Sequence, residues 1–187
     1  MKILEPPSNR HHQLGGFSLV EVMVAITILT VALGAIASTI VATNSLRNLN
    51  REMMIALDAG HAQIERLRGE TFSEVFARYN ADPADDPPLP VGKASPGQFF
   101  AVPRLNLRNG DADGFVGEII FPMIGSELRE DAVDEELGMP RDLDLNTAID
   151  STDHANDYRV LPVRIRLQWT GENGNQSLDL VTVLGEI

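Results

Sequence analysis

The sequence predicts an α+β fold, a long N-terminal helix packed on a small antiparallel β-sheet. Three observations predict it: an uncharged apolar run at Val22–Ala42, an amphipathic pattern continuing from Leu46 to Leu67, and a hairpin-like alternation between Val163 and Leu184. The 21 residues of the apolar run, each rising about 1.5 Å in a helix, span about 32 Å, close to the hydrocarbon thickness of a bilayer.

Residues 1–16 carry Lys2, Arg10, His11 and His12 against Glu5, a weakly positive leader that suits the cytoplasmic side of a membrane. Residues 17–70 read as one helix, with 17–43 transmembrane, and 71–187 as a globular head. Glu21 stands at the start of the apolar run with no cation nearby in its own helix. A carboxylate in a membrane helix costs about 2.5–3.5 kcal/mol at the centre and less near the end. The physical remedy is a positive partner in the same layer, and a free amine at Phe17 of a neighbouring chain would supply one.

Gly34 with Ala32, Ala35, Ala37 and Ser38 allows close helix approach, although small residues are common in any membrane helix. Beyond Thr43, Leu46, Leu49, Met53, Leu57, Gly60, Ile64 and Leu67 recur at spacings of three and four and mark one apolar face. The helix is expected to fray between Gly69 and Tyr79. Residues 80–97 hold five of the eleven prolines and read as a loop over the head. A strand broken by Pro103 is expected at Gln98–Leu107, and a better one at Phe115–Phe121. Residues 126–157 look irregular, with a short helix near Glu127–Leu137. In the tail, Val163, Ile165, Leu167 and Trp169 alternate with Arg164, Arg166, Gln168 and Thr170, the period of a half-buried strand. Gly171–Asn175 supplies the turn, Asn173-Gly174 suits positive φ, and Leu178–Leu184 returns as partner, placing Asp179 across from Arg164 or Arg166.

The net charge of −12 comes from 80–157, where 17 acidic residues face 5 basic ones. These acidic loops repel nucleic acid and anionic lipid, so no nucleic-acid partner is expected of the chain by itself. The usual meaning of such an excess is a solvated surface. There is no cysteine, so neither a disulfide framework nor a cysteine metal site is available.

The stretch Gly15-Gly16-Phe17-Ser18-Leu19-Val20-Glu21 before an apolar helix resembles the class III signal of type IV prepilins and pseudopilins. The resemblance covers roughly residues 10–45. It implies a pilin-like fold, cleavage between Gly16 and Phe17 by a membrane prepilin peptidase, and N-methylation of Phe17. Glu21, at the fifth mature position, is implied to pair with a neighbour's amino terminus during assembly. The implied partners are other minor and major pilins through the stalk helix, the peptidase, the inner-membrane assembly machinery and a tip adhesin. The implied location is the inner membrane, single-pass with the N-terminus cytoplasmic, and then the filament or its tip at the cell surface. No proline interrupts 17–82, a departure from many major pilins, which carry one within the stalk.

The Arg-x-Gln-Trp strand, glycine turn and closing Val-Thr-Val strand also resemble the tail of PilV-type minor pilins and I-type pseudopilins. The expected function is therefore that of a minor pilin of a type IV pilus, non-enzymatic, priming assembly and packing into or capping the filament. The alternative is a minor pseudopilin of a type II secretion system. A third reading is a secreted acidic binding protein released by ordinary signal peptidase after Ala35-Ile36-Ala37, against which Glu21 and the long mixed-charge stretch before it both argue.

No nucleophile–base constellation, phosphate loop or zinc motif stands out. His11 and His12 lie in the leader, His61 on the stalk and His154 in an acidic loop, none with metal-ligand spacing to another. Asn109, Asp111 and Asp113, followed by Gly114, open as a calcium loop does, with Glu118 near. The twelfth position, however, is Ile120 and not a glutamate. Asp142-Leu143-Asp144-Leu145-Asn146 repeats the spacing without the glycine. Apart from calcium at the first run, no cofactor is expected, and calorimetry with millimolar calcium tests that site.

Overall fold

The structure is a computed structural model and describes residues 16–88 and 92–186. The expected leader, apart from Gly16, and residues 89–91 of the expected loop lie outside the described residues. Helix α1 spans Leu19–Arg68. The chain divides into two compact units, one ending at Asn44 and the other beginning at Ser45.

In the second unit, α1 presents Ala56, Gly60, Gln63, Ile64 and Leu67 as its buried residues. The expected apolar face holds from Leu49, which like Leu57 is half-buried, through Met53, which packs against the core, to the buried Gly60, Ile64 and Leu67, and only its first residue, Leu46, is 59% exposed. At Gly60 the helix lies close against the sheet, and a Cβ there would strike the Leu180 side chain. The expected fraying after Gly69 is instead a 3-10 turn at Phe72–Glu74 and a short helix α2 at Val75–Tyr79. Val75, Phe76 and Tyr79 of α2 are all buried. The core holds them there, overriding a weak local pattern.

Two short strands replace the expected Gln98–Leu107 strand, β1 (Phe99–Phe100) and β2 (Asn106–Leu107). A turn with Arg104 at φ 74° separates them, just after Pro103. Strand β3 (Gly117–Ile120) is followed by β4 (Met123–Ile124) and β5 (Glu127–Leu128), which pair with each other. The short helix expected near Glu127–Leu137 is absent; β5 and turns occupy that stretch. Strands β6 (Val160–Gly171) and β7 (Gly174–Gly185) form the expected hairpin, longer than its alternation suggested. Gly171 pairs with Gly174, which takes the positive φ of the turn at 100°.

β6 is the central strand. It pairs antiparallel with β7 along its whole length and with β3 and β2 on its other edge, and β1 extends the sheet beyond β3. Leu161, Val163, Ile165, Leu167 and Trp169 alternate on one face, all fully buried. Pro162, Arg164 and Arg166 lie on the other. Helix α1 covers the apolar face, so this is the α+β arrangement that the sequence predicts. The Trp169 Nε1–H donates to Glu52 Oε2 on α1 at 3.3 Å, and Asn48 Nδ2 donates to Glu172 Oε2 at 2.6 Å. These bonds fix the helix in register with the hairpin.

Trp169→Ala is expected to lower head stability by about 3–5 kcal/mol through the cavity it leaves. Glu52→Ala should cost about 1 kcal/mol through the lost hydrogen bond alone. Chemical denaturation followed by far-UV circular dichroism checks both.

Candidate functional site

The N-terminal locus begins outside the helix. Gly16, Phe17 and Ser18 are non-helical, and Phe17 is 82% exposed. The Gly16–Phe17 bond therefore lies in non-helical backbone, with Phe17 and Ser18 between it and Leu19, the first helical residue. The Val22 N–H donates to the Ser18 carbonyl at 3.1 Å and closes the first turn. Glu21 lies in that turn, where the positive end of the helix dipole favours an anion. Its carboxylate is exposed, free to meet a partner from another chain.

The segment that follows has the composition of a membrane span. It is long and apolar enough to cross a bilayer, and its most apolar window is wholly exposed in the structure. Its few polar side chains are satisfied internally. The hydroxyls of Thr27, Thr30, Ser38, Thr39 and Thr43 donate to the carbonyls of Met23, Ile26, Gly34, Ala35 and Thr39 at 2.5–3.0 Å. In hydrocarbon an unsatisfied hydroxyl is costly, and this back-bonding removes that cost.

Residues 15–37 match a family model described as a prokaryotic N-terminal methylation motif. The matched stretch contains Gly16, Phe17 and Glu21 and most of the apolar run. No curated protein and no solved structure matches the chain.

A second locus lies within the acidic stretch 126–157, which is more than a solvated surface. Leu128, Ala132, Leu137, Met139 and Leu143 are buried, giving it an interior. At its centre the carboxylate of Glu130 is 0% exposed. Its Oε1 accepts the Leu143 N–H at 2.5 Å and the Asp144 N–H at 3.3 Å, and its Oε2 accepts the Asp150 N–H at 3.1 Å. His154, 2% exposed, stands 3.7 Å from Glu130 Oε2. Its Nδ1 lies 3.1 Å from Asp157 Oδ1, and its Nε2 lies 3.3 Å from Asp150 Oδ1 and 3.2 Å from Thr152 Oγ1. Burial lowers the His154 pKa, but the Glu130 charge and the bonds to Asp157 and Asp150 outweigh it and hold the pKa above the ordinary value.

Two further ties lie nearby, one to the sheet through Arg164 and one from Tyr158 to the 3-10 turn and α2. The buried Arg164 pairs with Asp134 Oδ2 at 3.0 Å and with Glu136. Tyr158 donates its hydroxyl to the Phe72 carbonyl at 2.5 Å and accepts from the Phe76 N–H at 3.3 Å. Burial pushes the Tyr158 phenol up to about 12, so it remains a donor. Asp179 faces Arg166, at 3.1 Å from its Nε, and not Arg164.

The residues of the expected calcium loop are placed as follows. Asn109 donates its backbone N–H to Thr170 Oγ1 at 2.9 Å. Asp111 and Asp113 accept the N–H groups of Gly114 and Phe115 at 3.0 and 2.8 Å, holding the β2–β3 turn. Glu118 lies in β3 opposite Arg166, where burial pushes its carboxyl up against the opposing pull of that arginine. Among the described residues the acidic and imidazole groups that converge most closely are those around Glu130 and His154. Asp142 of the second run accepts the Asn146 and Thr147 N–H groups, and Leu145 and Thr147 sit at φ 64° and 76°. Sequence reasoning missed Glu130 and His154 as a pair. The available signal was the set of spaced leucines inside an acidic run.

Glu130→Gln exchanges a charge-assisted acceptor of three N–H groups for a neutral one beside a cation, and should cost about 2–4 kcal/mol. The exposed Glu135→Gln should stay within about 0.5 kcal/mol of the parent. Thermal denaturation of the pair separates the two.

Proposed function

We propose that this chain is a minor pilin of a type IV pilus, PilV-like, processed by prepilin peptidase and built into the filament through its N-terminal helix. The observation that carries this reading is the methylation motif at residues 15–37, together with a scissile Gly16–Phe17 bond outside the helix and Glu21 in its first turn. The mechanism is non-enzymatic. The apolar helix packs against other pilins, and each Glu21 neutralises the amino terminus of a neighbour, which sets the axial register because a misplaced helix leaves a carboxylate unpaired in an apolar layer. Absence of a stalk proline suits a primer or cap better than the bulk subunit. In this role the subunit is held in the inner membrane before assembly, with the N-terminus cytoplasmic, and a tip adhesin is the further partner.

The second reading is a minor pseudopilin of a type II secretion system, favoured by the same Arg-x-Gln-Trp hairpin now seen as β6–β7. The stalk chemistry is common to both. A neighbourhood of retraction and adhesin genes favours the pilus, and one of secretin-linked export genes the pseudopilus.

Glu21→Ala is expected to leave leader removal intact and to lower recovery of the chain in the sheared-filament fraction at least tenfold. Immunoblotting of membrane and filament fractions measures both. Recovery equal to the parent would remove Glu21 from the assembly mechanism.

A further inference from the structure

Both ring nitrogens of His154 face carboxylate oxygens, Nδ1 toward Asp157 and Nε2 toward Asp150 and Glu130. A neutral imidazole has one N–H and one lone pair, so one nitrogen would then point an acceptor at an acceptor. The neutral Nδ1–H tautomer keeps its bond to Asp157 but turns the Nε2 lone pair toward the Asp150 and Glu130 carboxylates, with the Thr152 hydroxyl at 3.2 Å its one donor, whereas the imidazolium donates on both sides. The groups facing it are Glu130 from the stretch after β5, and Asp144, Asp150, Asp157 and the Thr152 hydroxyl from the loop that follows. Among the described residues no lysine or arginine forms an ion pair with any of these four carboxylates. His154 is thus the one cation paired with the cluster in the described structure.

The backbone of His154 is also a staple. Its N–H donates to the Leu128 carbonyl at 2.9 Å, and its own carbonyl accepts the N–H groups of Asp157 and Tyr158. Segment 142–157 is therefore tied through Glu130 to the N–H groups of Leu143, Asp144 and Asp150, through the His154 ring, and through bonds at the His154 backbone, at Asp153 Oδ1 (from the Leu128 N–H) and at the Leu143 carbonyl (from the Arg159 and Val160 N–H groups). The first two depend on charge. With His154 neutral, Glu130 is a buried anion without a counter-charge, beside three more carboxylates.

We propose that the segment Asp142–Asp157 is a pH-responsive latch, closed while His154 is protonated and loosened when His154 gives up its proton. Loosening frees the acidic loop and uncovers Leu143, which is fully buried in the closed form, while leaving helix and sheet folded. The elevated pKa of His154 fixes the direction. A raised folded-state pKa contributes stability that is complete below the unfolded histidine value of about 6.5 and is lost as pH rises through the folded value. Mild acid closes the latch, and alkaline conditions open it.

The test is amide hydrogen exchange on the full chain in detergent micelles between pH 5.5 and 8.5, corrected for intrinsic rates. Protection at Leu143, Asp144 and Asp150 is expected to fall about tenfold per pH unit from about 6.5 to the folded pKa of His154, with Ile165 and Leu167 unchanged. In His154→Gln that dependence should vanish. Flat protection in the parent, or the same midpoint in His154→Gln, would overturn the proposal. Direct titration of the His154 ring carbon by NMR in the parent gives a reading that needs no variant: a pKa above about 6.5 supports the latch, and one below it removes it.

Discussion

Glu21 has to be neutralised by something outside its own helix. It stands at the head of a run in which Val22–Ala42 carries no charge, and α1 offers no cation near it. Its geometry leaves it exposed on the first helical turn, where the helix dipole supplies only a partial compensation. The isolated chain is therefore electrostatically incomplete at this end. A partner of opposite charge at the same depth would complete it, and in the function proposed above that partner is the amino terminus left by a cut at Gly16–Phe17. In the proposed function, processing and assembly are linked by that one requirement: without the cut there would be no terminal amine for Glu21 to meet.

The head meets the same problem by the opposite route. Glu130 is also a carboxylate removed from water, and its compensation is internal, with three backbone N–H donors and the His154 ring around it. In the proposed function one carboxylate recruits a neighbour; the other organises its own loop. The difference follows from where each sits. The first turn of a helix offers Glu21 only a few N–H groups and the dipole's partial charge, whereas the irregular loop turns three N–H groups onto Glu130. The acidic stretch can be irregular and still ordered because its free amides converge on Glu130.

The fold was legible where periodicity is strong and local. The apolar run, the Gly60–Leu67 face and the β6–β7 alternation all declared their elements, because burial on one face imposes a period of 3.6 or 2. It was illegible where order comes from distant partners. α2 forms because Val75, Phe76 and Tyr79 are buried in the core, not because their sequence reads as a helix. The expected helix near Glu127–Leu137 fails because Glu130 and Leu128 are committed to contacts far along the chain. The methylation motif could be read directly, since its chemistry depends on residues adjacent in sequence. The Glu130–His154 pair could not, because nothing in the intervening residues announces that the chain returns to the same point.

The most direct test of the central claim is mass spectrometry of the mature amino terminus, taken from native membranes and from sheared filaments. An N-methylated Phe17 is the predicted result, and it would place the amine and Glu21 together in the mature protein. A chain beginning at Ser38 would mean ordinary signal-peptide cleavage, and would remove the apolar helix, Glu21 and the assembly mechanism with them.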